Sequence, residues 1–258
     1  MLNYLKSEVY RILHNKSSYI FILVCSFLLV ISNVVLFLLK MNEATFPYAS
    51  TSFSLGNLCS SYAYVFLICI MVSGFIFANE HNNHTFKNSV SYGISRGIIY
   101  FGKLIVQMVY AMIAFVLIIG AHVASAYLLL EHTDPEIMDL LLHSCFAVLP
   151  LFLFVIAVAN CFYFIVESTG GAVGASVGII LALPITCGFL GMKFDIIKKI
   201  SDVLPWNLLG AIQLNFDDFS VHLFWAKNGY MNYWIAGLAQ ILIFVILGYG
   251  FFAKKEIK

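Results

Sequence analysis

Six runs of apolar residues alternate with shorter polar stretches along the chain. They lie near Tyr19 to Leu39, Leu58 to Ala78, Leu104 to Leu130, Ser144 to Val166, Gly171 to Gly191 and Tyr233 to Phe252. Crossing a bilayer takes about 20 apolar residues. In lipid every backbone polar group needs a partner within its own segment, so each run is expected to be a helix. The first run is long and no small-residue cleavage site follows it, so it is expected to stay as a span.

The polar stretches have patterns of their own. Leu2, Leu5, Val9, Ile12 and Leu13 share one helical face, with Lys6, Glu8, Arg11 and Asn15 on others. This predicts a helix within residues 1–17 that lies along the inner interface and leads into the first span. In the segment 192–231, Ile196, Ile197, Ile200, Val203 and Leu204 recur at helical spacing, and Pro205-Trp206 is expected to end that helix. Trp206 and Trp225 suit the interface as anchors. Residues 131–139 form a short acidic turn around Pro135.

The segment with most internal design is 79–103, a polar island between the second and third runs. Thr85 is placed to cap a short helix and Gly93 to end it, while Ser95 is placed to cap the helix entering the third run. A short helix held at the mouth of two spans is a lever, to be pushed from the inner side.

Composition agrees with a membrane protein of one domain, residues 1–258. Hydrophobic residues make up 62% and charged residues 10%, with a mean hydropathy of +0.94, far from the roughly half-apolar, quarter-charged norm of soluble domains. With both termini inside, the inner segments hold nine basic residues: Lys6, Arg11, Lys16, Lys87, Arg96, Lys103, Lys254, Lys255 and Lys258. The outer segments hold five, Lys40, Lys193, Lys198, Lys199 and Lys227. That is the direction of the positive-inside rule, although the turn Glu167-Ser-Thr-Gly carries no basic residue. The six cysteines include no C-x-x-C pair and are expected to be small buried hydrophobes.

Candidate chemistry is sparse. Gly97-Ile-Ile-Tyr-Phe-Gly102-Lys103-Leu104 matches the phosphate-loop pattern up to its last position, where Leu104 replaces the Ser or Thr that ligands magnesium. Lys103 is therefore expected to snorkel to the interface. His81 and His84 stand three apart beside Glu80 but have no further zinc ligands at a useful spacing. His122 is an intramembrane histidine, open to a functional role or to a plain hydrogen bond between helices. Asn33, Gln107 and Asn160 carry the same two readings. No Asp, Glu, Lys or Arg is expected deep in a span, which argues against a proton or sodium relay. Gly170, Gly174 and Gly178 repeat at small-x-x-x-small spacing, a pattern that admits a close neighbouring helix within or between subunits. No cofactor or metal is expected, and no nucleophile–base constellation suggests an enzyme.

The island resembles the permease subunits of type-2 ABC exporters. In those proteins the second span is followed by Glu, a few polar residues, Gly-Thr, a short amphipathic helix, Ser-Arg, and a Lys entering the third span. Here the pattern is carried by Glu80, Thr85, Phe86, Lys87, Asn88, Ser95, Arg96 and Lys103. Thr-Phe-Lys-Asn with Gly-Ile-Ser-Arg is most similar to small permeases of Gram-positive bacteria, including those of bacitracin resistance and lantibiotic immunity. His84 departs from the family's Gly before Thr.

The resemblance implies an all-α permease with six transmembrane helices, an N-terminal interfacial helix and a cytoplasmic coupling helix between spans two and three. It also implies two separate ATPase subunits, a second permease copy or homologue, and a place in the cell membrane with both termini cytoplasmic. The coupling helix, about residues 85–92, would dock into an ATPase cleft, with Phe86 as an apolar plug and Lys87 and Arg96 facing acidic groups. The implied function is ATP-driven export of a hydrophobic or amphipathic cargo, such as an antimicrobial peptide, lantibiotic or drug. The alternative is a stand-alone secondary transporter or channel for a small solute or ion. That class normally shows intramembrane charges or broken helices at the midplane, and here only Pro184 hints at one.

Overall fold

A computed structural model describes residues 1–43, 45–83, 91–133, 135–210, 213–214, 221–222 and 231–255. The helices in chain order are α1 (Leu2–Leu13), α2 (Lys16–Asn42), α3 (Thr51–Ser60), α4 (Ala63–Asn83), α5 (Arg96–Leu129) and α6 (Ile137–Ile165). Then come α7 (Thr169–Val177), a π turn (Gly178–Ala182), α8 (Leu183–Gly191), α9 (Asp195–Ser201) and α10 (Pro205–Gly210). Two short strands, β1 (Gln213–Leu214) and β2 (Val221–His222), pair antiparallel before α11 (Met231–Lys254).

Among the described residues, five helices are long and apolar enough to cross a membrane: α2, α5, α6, the continuous segment Thr169–Gly191, and α11. The protein is a multi-pass membrane protein. α4, of 21 residues, occupies the place of the expected second span. Its start differs from expectation. Leu58 belongs to α3, and the helix is interrupted by a turn at Ser61 and Tyr62 before α4 begins. Ser50 starts α3 early by accepting from Phe53 N at 3.2 Å. The same capping chemistry begins other helices: Asn15 accepts from Ser17 N at 3.1 Å, and Ser168 from Gly171 N at 3.1 Å.

α6 is the centre of the bundle. Of its most apolar window 67% is buried inside the protein, against 6% for α2. The tightest neighbour of α6 is α11, and glycine is the reason. A Cβ at Gly237 would lie 2.7 Å from Pro150 Cβ, and one at Gly248 would lie 3.0 Å from Cys161 Cα. Pro150 has no N–H to give the carbonyl of Phe146, one turn earlier. The Trp234 indole N–H of α11 donates to that carbonyl instead, at 3.1 Å. Pro184 breaks the ladder of its own segment differently: the π turn ends two residues before it.

The segment after α8 corrects an expectation. The amphipathic helix ends at Ser201, before Val203 and Leu204, and Pro205 opens α10. Proline's fixed φ and missing N–H suit the first turn of a helix. Ile196 and Ile200 point away from the protein, 76% and 54% exposed. At the other side of this end, Lys40 pairs with Glu131. The Glu131 carbonyl accepts from Thr51 N at 2.9 Å, tying the end of α5 to the start of α3.

Candidate functional site

At the end of the bundle that carries both chain termini, α5 begins directly after the polar island. Thr85, Phe86, Lys87, Asn88 and His84 lie outside the described residues, and Glu80 falls in the last turn of α4. The downstream half of the island is described. Gly93 has φ of +81°, a left-handed turn suited to glycine. Ser95 caps α5 by accepting from Ile98 N at 3.4 Å.

Arg96, the first residue of α5, reaches across to the end of α11. Its Nη1 donates to the carbonyls of Phe252 at 3.0 Å, Ala253 at 2.7 Å and Lys255 at 2.7 Å. These carbonyls are ones a helix terminus leaves without intrahelical partners, and the negative end of the helix dipole favours a cation there. Lys255 repeats the device one helix further on. Its Nζ donates to Ile165 O at 2.9 Å and Phe164 O at 3.4 Å, at the end of α6. Arg96 and Lys255 thus tie the start of α5 to the ends of α11 and α6. Lys255 escaped the sequence reading because a terminal lysine there looks like any inner-surface charge.

α1 is fastened to the same place. The ring of Tyr4 covers Gly102, where a Cβ would sit 2.8 Å from the ring. One residue on, Lys103 Nζ donates to both carboxylate oxygens of Glu8 at 3.1 Å. Arg11 donates to Glu8 Oε2 at 2.5 Å and to the Ile76 carbonyl of α4 at 3.2 Å. The ammonium also lies 5.4 Å from the centre of the Phe77 ring. Lys103 does not snorkel. It is 1% exposed, because its carboxylate partner on α1 removes the need to reach water. Lys103 lies in the second turn of α5, buried and paired, just before the apolar run that begins at Leu104.

The intramembrane polar residues form two networks. Asn33 Nδ2 donates to Ser125 Oγ at 2.7 Å and to the His122 carbonyl at 3.1 Å, while its Oδ1 accepts from Ser54 Oγ. Ser54 Oγ is also 3.1 Å from His122 Nε2. Nearer the termini, Ser73 Oγ donates to Gln107 Oε1 at 2.9 Å, and Gln107 Nε2 to Asn160 Oδ1 at 2.8 Å. His122, Asn33, Gln107 and Asn160 thus all make hydrogen bonds between helices, the plainer of the two readings.

The predicted glycine stripe is different. At Gly170, Gly174 and Gly178 an added Cβ would meet nothing within 4 Å. No helix of this chain among the described residues approaches the stripe closely, and close packing falls to Gly237 and Gly248 instead. Gly237 and Gly248 stand eleven positions apart, so they form no small-x-x-x-small repeat and carry no local signal.

Comparison with curated proteins gives no significant match. The family described as ABC-2 family transporter protein matches residues 4–187 of the 258, from α1 into α8. That stretch includes the buried Glu8–Lys103 pair and the start of α5 beside the island, and the chain belongs to the ABC-2 transporter family.

Proposed function

We propose that this chain is the membrane-spanning permease of an ATP-driven exporter, working with separate ATPase subunits and a second permease copy or homologue. Family membership implies an ABC ATPase as partner. The cargo is hydrophobic or amphipathic, an antimicrobial peptide, lantibiotic or drug. Both termini and the island face the cytoplasm, and α4 completes a set of six spans.

The observation that carries the reading is the convergence at Arg96. The island leads directly into the one residue whose guanidinium holds the end of α11, while Lys255 holds the end of α6. A displacement of the island by an ATPase would act at once on α5, α11 and α6. Phe86 supplies the plug for the ATPase cleft, and Glu80, Thr85, Lys87, Asn88 and Ser95 frame it.

The test is co-reconstitution with the partner ATPase. Hydrolysis stimulated by cargo is expected with the intact chain. Phe86→Ala should lose that stimulation while the protein still inserts and assembles, since a buried interface anchor is worth about 2 kcal/mol or more. Unchanged transport by Phe86→Ala, or nucleotide binding by the chain alone in calorimetry, would remove this reading.

A further inference from the structure

Between the first halves of α2 and α4 and the middles of α5 and α6 lies a cavity of about 250 Å³. Phe21, Leu29, Val65, Cys69, Phe115 and Ile156 contribute to its wall. Among the described lining residues only Ser61 and Tyr62 carry a hydroxyl, and that of Tyr62 is already 3.0 Å from Cys145 Sγ and 3.3 Å from Ser144 Oγ. Leu28 forms part of the rim and is 60% exposed, on a helix whose apolar window is only 6% buried. The mouth therefore faces the bilayer.

We infer that this cavity is a binding site for a single alkyl chain. Its chemistry excludes most alternatives. A polar or ionised group would lose its water without gaining partners, at a cost of about 2–7 kcal/mol for a neutral polar group. Water is excluded for the same reason: apolar cavities stay dry, and one of about 150 Å³ already accepts a benzene ring. A whole drug-sized molecule needs about 300–1,000 Å³. What fits is a hydrocarbon tail entering sideways from the membrane, its headgroup left outside. The tail belongs either to a bilayer phospholipid or to a tailed amphiphile dissolved in the membrane. The site depends on the bundle and its place in lipid, and stands whether or not an ATPase partners the chain.

Photo-crosslinking decides it. The protein is reconstituted in vesicles of phosphatidylcholine and phosphatidylglycerol with one of three diazirine probes: a phospholipid labelled mid-tail, a phospholipid labelled on its headgroup, or a single-chain alkylammonium labelled on its tail. Labelled peptides are mapped by mass spectrometry. A tail probe is expected to mark lining positions of α2 and α5 in excess over Ile243 and Ile246, exposed on α11. Leu28→Trp at the rim and Ala111→Trp in the wall should each abolish that excess, and the exposed position of Leu28 keeps the first variant folded. Enrichment with the phospholipid tail identifies a bilayer lipid as occupant, and enrichment with the alkylammonium alone identifies a tailed solute. Equal labelling of α11 and the lining, an excess indifferent to both variants, or equal entry by the headgroup probe would overturn the site.

Discussion

Lys103 Nζ sits 3.1 Å from each carboxylate oxygen of Glu8, and the two residues are 1% and 5% exposed. The pair joins α1 to α5 inside the protein, where each buried charge is offset by the other, and Glu8 by Arg11 as well. Lys103→Ala takes one of two cations from the buried carboxylate, which keeps Arg11, and should destabilise the fold by less than the roughly 3–5 kcal/mol of a buried charge left wholly unpaired. The double variant Glu8→Leu with Lys103→Met should recover most of that loss. Thermal unfolding of the wild type, Glu8→Leu, Lys103→Met and the double variant in detergent gives the cycle, and additive losses would show that the pair is not coupled.

Arg96 should act through the end of α11 as well as through any partner. Arg96→Ala removes three hydrogen bonds to the carbonyls of Phe252, Ala253 and Lys255. The last turn of α11 should then exchange its amide hydrogens faster, while the middle of α11 stays protected. Hydrogen-exchange mass spectrometry of the C-terminal peptide reads this directly. Unchanged protection at that peptide would mean that the guanidinium does not hold the helix end.

The α6–α11 contact makes two graded predictions. Trp234→Phe keeps an aromatic side chain, though a smaller one, but deprives the Phe146 carbonyl of its donor beside Pro150, for a loss of about 1 kcal/mol. Gly237→Leu must force its side chain into Pro150, already 2.7 Å from a bare Cβ, and should cost several times more. The ratio of the two shifts in unfolding midpoint is the check. Similar small effects would mean that α11 can slide away from α6.

In the polar network of Asn33, one substitution should be worse than two. Asn33→Leu strips partners from Ser54 and Ser125 at once, for about 1–3 kcal/mol. Adding Ser125→Ala removes one of the groups that lost Asn33, whose remaining bond is only to the His122 carbonyl of its own helix, and should recover part of the loss. A double variant less stable than Asn33→Leu alone would contradict the arrangement.

Orientation can be settled by labelling. In a background without native cysteines, Asp217→Cys should react with an impermeant maleimide on intact cells, and Asn83→Cys only after the cells are opened. Reaction at Asn83 in intact cells would put the island outside and remove the coupling proposal with it.

The sequence alone determined the membrane class and the approximate helices, because a bilayer leaves a span only one way to satisfy its backbone and demands a long apolar run for it. It also determined the local signals of the island, since the Ser95 cap and the Gly93 turn are set by neighbours within a few residues. Local pattern placed the start of α4 a few residues early, because an apolar run continues across Ser61 and Tyr62 even where the helix does not. Partnerships across the bundle were decided by the tertiary structure alone. Whether Lys103 reaches water or Glu8 depends on where α1 lies, 95 residues away along the chain. Whether a glycine admits a helix depends on what faces it, and Pro150 faces Gly237 while nothing of this chain among the described residues faces Gly174. Apolar lipid and apolar protein look the same to a residue's own neighbours in sequence, so only packing distinguishes a buried face from one left to the membrane.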